Sequence, residues 1–159
     1  MKNHLMRAWK RWLWSQTTVD IALKVALNRV LAEAYAAGRI KTIYDIGAHK
    51  GRWSLEMRDL MPQARFILFE ANPRHEADLA ATDLQYYISV LTRPGPAQVD
   101  FYSRTDDKGS TGGSIYKEIT PQYGNVTPVS LSAITLAELC RAEKLPQPDF
   151  IKIDTQGSE

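Results

Sequence analysis

Residues 42–51 read TIYDIGAHKG and residues 65–70 read RFILFE. Thr42 to Ile46 is rich in β-branched and aromatic residues and predicts a short strand. Gly47 to Gly51 predicts a tight loop, and Arg52 to Met61 a helix that Pro62 closes. Arg65 to Glu70 is almost continuously apolar, the pattern of a strand covered on both faces. Strand, loop, helix and strand in that order make a βαβ unit. Working outward, Pro73 suits the first turn of another helix running to about Thr82, and Gln85 to Leu91 predicts a third strand. The fold class expected is α/β, a mainly parallel sheet with flanking helices.

The rhythm changes after Leu91. Ala97–Ser103 and Val126–Leu131 predict two more strands, separated in part by TDDKGSTGG at residues 105–113, a polar and mobile loop. A helix follows with Leu136, Leu139 and Cys140 on one side, which places Cys140 in the core rather than in chemistry. Pro146 and Pro148 end it. Phe150–Asp154 predicts the last strand, and Thr155 to Glu159 a closing loop.

Residues 1–38 predict a helical segment ahead of a domain over residues 39–159. Leu5, Met6, Trp9, Trp12 and Leu13 share one helical face and Lys2, Arg7, Lys10 and Arg11 the other. The pattern predicts a leading helix that packs on its own domain or a partner. Its alternative is a weak membrane-surface contact through residues 1–14. A second helical period, Val19, Leu23, Ala26, Leu27, Val30, Leu31 and Ala34, predicts a core-facing helix, capped by Thr17 or Thr18 and followed by Gly38.

Composition sets bounds on function. The chain has 159 residues, 44% hydrophobic and 24% charged, enough for one domain with a core. Four cations stand before Trp14 with no acid, so the net +2 of the whole chain less these four leaves −2 for the rest. A faintly acidic body argues against a general nucleic-acid binder. The single cysteine excludes an internal disulfide framework and fits a reducing compartment. The apolar stretch from Ile21 to Ala37 is interrupted by Lys24, Arg29 and Glu33, unlike a membrane span. With no secretory signal pattern at the N-terminus either, a cytoplasmic location is expected, peripheral to the membrane in the alternative reading of residues 1–14.

Ligands of an open parallel sheet bind beyond the carboxyl ends of its strands, and three predicted strand ends carry acids: Asp45, Glu70 and Asp154. The loop Gly47-Ala48-His49-Lys50-Gly51 turns sharply and opens a helix, whose free amides favour an anion. Glu70 stands where a carboxylate can accept both hydroxyls of a ribose. Together they describe a nucleoside pocket. The loop is G-x-x-x-G, not the G-x-G-x-x-G of dinucleotide sites, and Asp45 would repel a diphosphate. S-adenosylmethionine has no phosphate, and its ammonium and carboxylate suit an acid beside helix-terminal amides. A nicotinamide-dependent oxidoreductase matches this loop poorly.

Asp45-Ile46-Gly47-Ala48 with Gly51, then Phe69-Glu70-Ala71-Asn72-Pro73, then Lys152-Ile153-Asp154-Thr155-Gln156-Gly157-Ser158-Glu159 resemble the motifs of FkbM-type S-adenosylmethionine-dependent methyltransferases. The resemblance spans about Lys41 to Glu159 and includes Gly112-Gly113-Ser114 and Thr135-Leu136. It implies the Rossmann-like class I methyltransferase fold and O-methylation of a hydroxyl on a sugar, glycan or other small metabolite, with S-adenosylmethionine as cofactor and no metal. Asp45 would hold the methionine end, the amides of Gly47, Ala48, His49 and Gly51 would shape the loop, and Glu70 would bind the ribose. Ser89 and Val90 would border the adenine. Asp154 would stand near the reacting centre as a base, a ligand for the cofactor ammonium or an acceptor-positioning group.

Two departures from the family pattern stand out. His49 occupies a position that is usually Asn. The family domain also continues beyond its Lys-Ile-Asp-x-x-Gly-x-Glu motif, where this sequence ends, so the far half of the sheet is expected to be incomplete and the last strand to form an exposed edge. A truncated, non-catalytic S-adenosylmethionine-binding domain is therefore the second functional reading. Lys152 is unusual in such a strand and needs an acid partner, for which Asp154 is a candidate.

Overall fold

The computed structural model describes residues 21–103, 113–117 and 126–155. The amphipathic pattern of residues 1–14, the caps Thr17 and Thr18, residues 105–112 of the polar loop and the closing residues 156–159 lie outside them. The chain divides into two compact units, residues 1–40 and 41–159. In the first, helix α1 (residues 21–36) ends in a Schellman motif. The Gly38 amide donates to the Tyr35 carbonyl and the Arg39 amide to the Ala34 carbonyl, with Gly38 at a φ of 71°. The core-facing reading of α1 is corrected in part: Leu31 is buried, but Leu23, Leu27 and Val30 are exposed. Helical periodicity marks an apolar stripe and does not supply the surface that covers it.

The second unit is built on a four-stranded parallel sheet in the order β3-β2-β1-β7, from β1 (Thr42–Ile46), β2 (Arg65–Glu70), β3 (Gln85–Ile88) and β7 (Phe150–Ile153). Sequential strands step outward on one side of β1 and the chain returns to its other side, the order of a Rossmann-like half-sheet. Both faces of the central strands β1 and β2 are covered, which accounts for their unbroken apolar runs. On one face Tyr44, Ile46, Ile67 and Phe69 pack with Leu139 and Cys140 of helix α4 (Leu136–Ala142). Tyr44 donates to the Pro146 carbonyl at 2.6 Å, and its hydroxyl lies 3.5 Å from Cys140 Sγ. Burial and then the neighbouring Cys140 push the Tyr44 phenol above its ordinary pKa. Ile43, Asp45, Phe66 and Leu68 point to the opposite face, which helix α2 (Arg52–Leu60) covers with the buried Ser54 and Met57.

Several element boundaries differ from the sequence reading. The helix expected from Pro73 starts as a 3₁₀ turn, Pro73–His75, capped by the Asn72 side chain, and continues as the short α3 (Glu76–Ala80). The strand expected over Gln85–Leu91 is two strands. β3 stays in the main sheet, while β4 (Val90–Leu91) pairs with β6 (Val129–Ile134) in a second sheet ordered β4-β6-β5, where β5 is Gln98–Phe101. Ser89 is the hinge between them, its amide donating to the Glu70 carbonyl at 2.9 Å. β6 begins three residues later than expected because Pro128 has no amide to give a ladder.

Candidate active site

Strands β1, β2 and β7 all end on the same edge of the sheet, and the chain crosses above them to form a cleft. Ile46, Gly47, His49, Glu70, Asn72, Ser89, Val90, Phe101, Ser114, Asp154 and Thr155 are among its lining residues. Six of the nine expected site residues meet there: Gly47, His49, Glu70, Ser89, Val90 and Asp154. Asp45, Ala48 and Gly51 do not line it. The cleft is narrow, about 90 Å³, and a wider cavity of about 560 Å³ adjoins it, sharing Ile46, Leu91, Ile115 and Thr155. The wider of the two is on the scale of a small-ligand site, roughly 300–1,000 Å³.

Glu70 is buried at the tip of β2 with both oxygens anchored. Its Oε2 accepts the His49 amide at 2.7 Å and its Oε1 the Asn72 amide at 2.8 Å. A carboxylate has about four acceptor positions, so two remain for a ligand's hydroxyls. The same bonds revise the loop's expected role. Gly47 and Ala48 both donate their amides to the Phe69 carbonyl, and Gly51 donates to the Ala48 carbonyl. The first two amides hold the loop to β2, the third closes the loop on itself, and the His49 amide is taken by the chain's own Glu70.

Gly47 is required by geometry. It has a φ of 75°, and a Cβ there would stand 2.0 Å from the Asp154 carbonyl oxygen. The loop and the β7 end therefore touch, with the Asp154 amide donating to the Ile46 carbonyl at 3.0 Å. Gly51, with a φ of 72°, starts α2 and faces Thr82, Leu68 and Leu79 rather than the cleft.

Asp45 is wholly buried beneath the loop. Its Oδ2 accepts the Ser54 hydroxyl at 2.7 Å, and its Oδ1 is paired with Lys152 Nζ at 3.0 Å without hydrogen-bond alignment. Asp45 was expected to hold the methionine end; in this structure it does not line the cleft, and its carboxylate lies buried with Ser54 and Lys152. Lys152 has two acid partners, the second being Asp154 Oδ2 at 3.5 Å.

His49, at a φ of 52°, sits edge-on to the buried His75 with ring centroids 4.1 Å apart. Burial first, then His75 and Lys50, lower its pKa below the ordinary imidazole value and favour the neutral ring.

Two cleft residues were quoted in the motifs without a role. Asn72 is buried, with Oδ1 accepting the Arg74 amide while Nδ2 has no hydrogen-bond partner. Thr155 Oγ1 is likewise buried without one. Buried polar atoms left unpaired cost free energy and point to a ligand that completes them. The signal for Asn72 was present, since Asn before Pro is a helix cap; that its other end faces a cleft was not readable. The cleft thus combines the Glu70 carboxylate as acceptor, Asn72 Nδ2 as a free donor and apolar walls from Ile46, Val90 and Phe101.

A comparison with known families agrees with this geometry: the family described as Methyltransferase FkbM domain matches residues 45–159. The chain belongs to the FkbM methyltransferase family. Its α/β architecture with a mainly parallel sheet is the Rossmann-like fold of such enzymes. Comparison with curated proteins and with solved structures gave no match. Among the described residues of this FkbM chain, no group of His, Cys, Asp and Glu could hold a metal, and no helix is long and apolar enough to cross a membrane.

Proposed function

We propose that this FkbM-family chain binds S-adenosylmethionine in the cleft at the β1, β2 and β7 ends and methylates a hydroxyl of a sugar, glycan or other small metabolite. The observation that carries the reading is Glu70: a buried carboxylate fixed by two backbone amides, facing the same cleft as Asp154 and the unpaired Asn72 Nδ2. Glu70 accepts ribose hydroxyls and Asn72 donates to the same end of the ligand. Ser89 and Val90 border the base. When bound, S-adenosylmethionine supplies an electrophilic methyl on a sulfonium. The chain's part is to orient the acceptor in line with it, the kind of positioning that supplies much of a displacement's rate enhancement. Asp154, with its side chain 70% exposed at the cleft rim, is within reach of an acceptor hydroxyl and able to take its proton. The adjoining cavity, walled by Leu91, Pro94, Pro96 and Ile153 with Arg93 and Tyr116, is the place for the acceptor's body.

Calorimetry with S-adenosylhomocysteine and with NAD, beside a transfer assay using labelled S-adenosylmethionine and a panel of sugar alcohols, tests the reading. Binding of S-adenosylhomocysteine in preference to NAD, with label transferred, is expected. Binding without transfer would leave a cofactor-binding domain, the second reading. Preference for NAD would overturn both.

A further inference from the structure

Lys152 contacts both acids at the β1 and β7 ends. Its Nζ stands 3.0 Å from Asp45 Oδ1, 3.5 Å from Asp154 Oδ2 and 3.2 Å from the Gly47 carbonyl oxygen, to which it donates. The Trp53 ring lies 5.9 Å from it and is itself stacked on Phe150, so the lysine stem is confined between α2 and β7. Register adds to this confinement, because Lys152 and Asp45 are Cα partners across the β1–β7 ladder. Its side chain is only 19% exposed. One acid of the three groups is sealed from solvent and the other opens into the cleft, so Lys152 links a buried charge to a ligand-facing one through the loop carbonyl between them.

We propose that Lys152 is a positioning residue of the cleft, holding Asp154 and the Gly47 carbonyl in place and leaving the two carboxylates with one net negative charge toward the cofactor's cationic sulfonium. This rests on the proposed cofactor, and it deepens that reading by assigning charge selection to a residue that does not line the cleft. A lysine that merely braced β7 against β1 would affect cationic and neutral forms of the cofactor alike. A lysine that sets the charge balance affects them differently, because S-adenosylmethionine and S-adenosylhomocysteine differ by the sulfonium charge and its methyl.

The test measures the affinity of the full chain for both compounds in wild type, Lys152→Met, Lys152→Arg and Asp45→Asn, with melting curves alongside. Lys152→Met weakens both compounds and shifts their affinity ratio toward S-adenosylmethionine by roughly threefold or more, since two carboxylates then act without a counter-charge. Lys152→Arg keeps the wild-type ratio. Asp45→Asn shifts the ratio the opposite way, toward S-adenosylhomocysteine, and decides the matter where Lys152→Met does not fold. Unchanged ratios in folded variants would overturn the role of Lys152 and leave the proposed function standing. Failure of wild type to bind either compound would overturn both.

Discussion

Glu70 shows how one side chain can be both scaffold and ligand group. Its two amide bonds fix the carboxylate before any ligand arrives, so little ordering cost is left for binding. Glu70→Ala is expected to weaken S-adenosylhomocysteine binding by about 1–3 kcal/mol, the worth of hydrogen bonds to a charged acceptor, as read by calorimetry. His49 makes a pH prediction. Its pKa is lowered in the folded chain, so the neutral form is favoured and its contribution to stability is complete above the ordinary imidazole value of 6.5. That contribution is lost as pH falls through the lowered folded value, where a charged His49 faces His75 and Lys50. Cofactor affinity is expected to drop over the same acid window, and His49→Asn to flatten the profile below pH 6.5. The sequence identified these residues because strand-end acids and a glycine loop are local patterns. It did not show that Asp45 lies under the loop, since Asp45 and Asp154 have the same local signature and differ only in what covers them.

At the scale of elements, short contacts between chain segments set the strand positions. The start of β1 is fastened to the approach to β7 by Asp149, whose Oδ2 accepts the Lys41 amide at 2.8 Å and the Thr42 amide at 2.9 Å. These two bonds, the Lys41 one first, hold the Asp149 carboxyl below its ordinary value. A depressed carboxyl stabilises the fold above its unfolded value of about 3.8, and that stabilisation is lost as pH falls through the folded value. Asp149→Ala is therefore expected to melt lower than wild type at pH 7, with the gap closing toward pH 3 in thermal scans. Helix α4 begins with a reciprocal capping box between Thr135 and Glu138. Its removal by Thr135→Ala is expected to cost about 0.5–2 kcal/mol in denaturant unfolding. β1, β2 and α2 were readable to within a residue or two, and α4 at its capped start, although it ends at Ala142, ahead of the expected stop at Pro146. The division of Gln85–Leu91 at Ser89 was not, because both halves have the same β-forming composition and only their partners differ.

At the scale of the whole molecule, the outer strand of the described sheet is where self-association can be tested. Among the described residues β7 pairs with β1 alone, and Ile151 and Ile153 are 40% and 50% exposed. An apolar strand with free backbone groups is a template for another chain. Ile151→Lys is expected to lower concentration-dependent self-association in sedimentation experiments without changing cofactor affinity, since Ile151 does not line the cleft. The sequence by itself determined the parallel α/β order, the glycine loop and the acids at three strand ends, because periodicity, turn chemistry and strand polarity act over a few neighbouring residues. Only the tertiary structure decided which acids line the cleft, which is sealed with Lys152 and Ser54, and which amides are already spent. Those outcomes depend on the packing of segments that lie about a hundred residues apart in the chain, such as Gly47 against Asp154, and no local pattern records that packing.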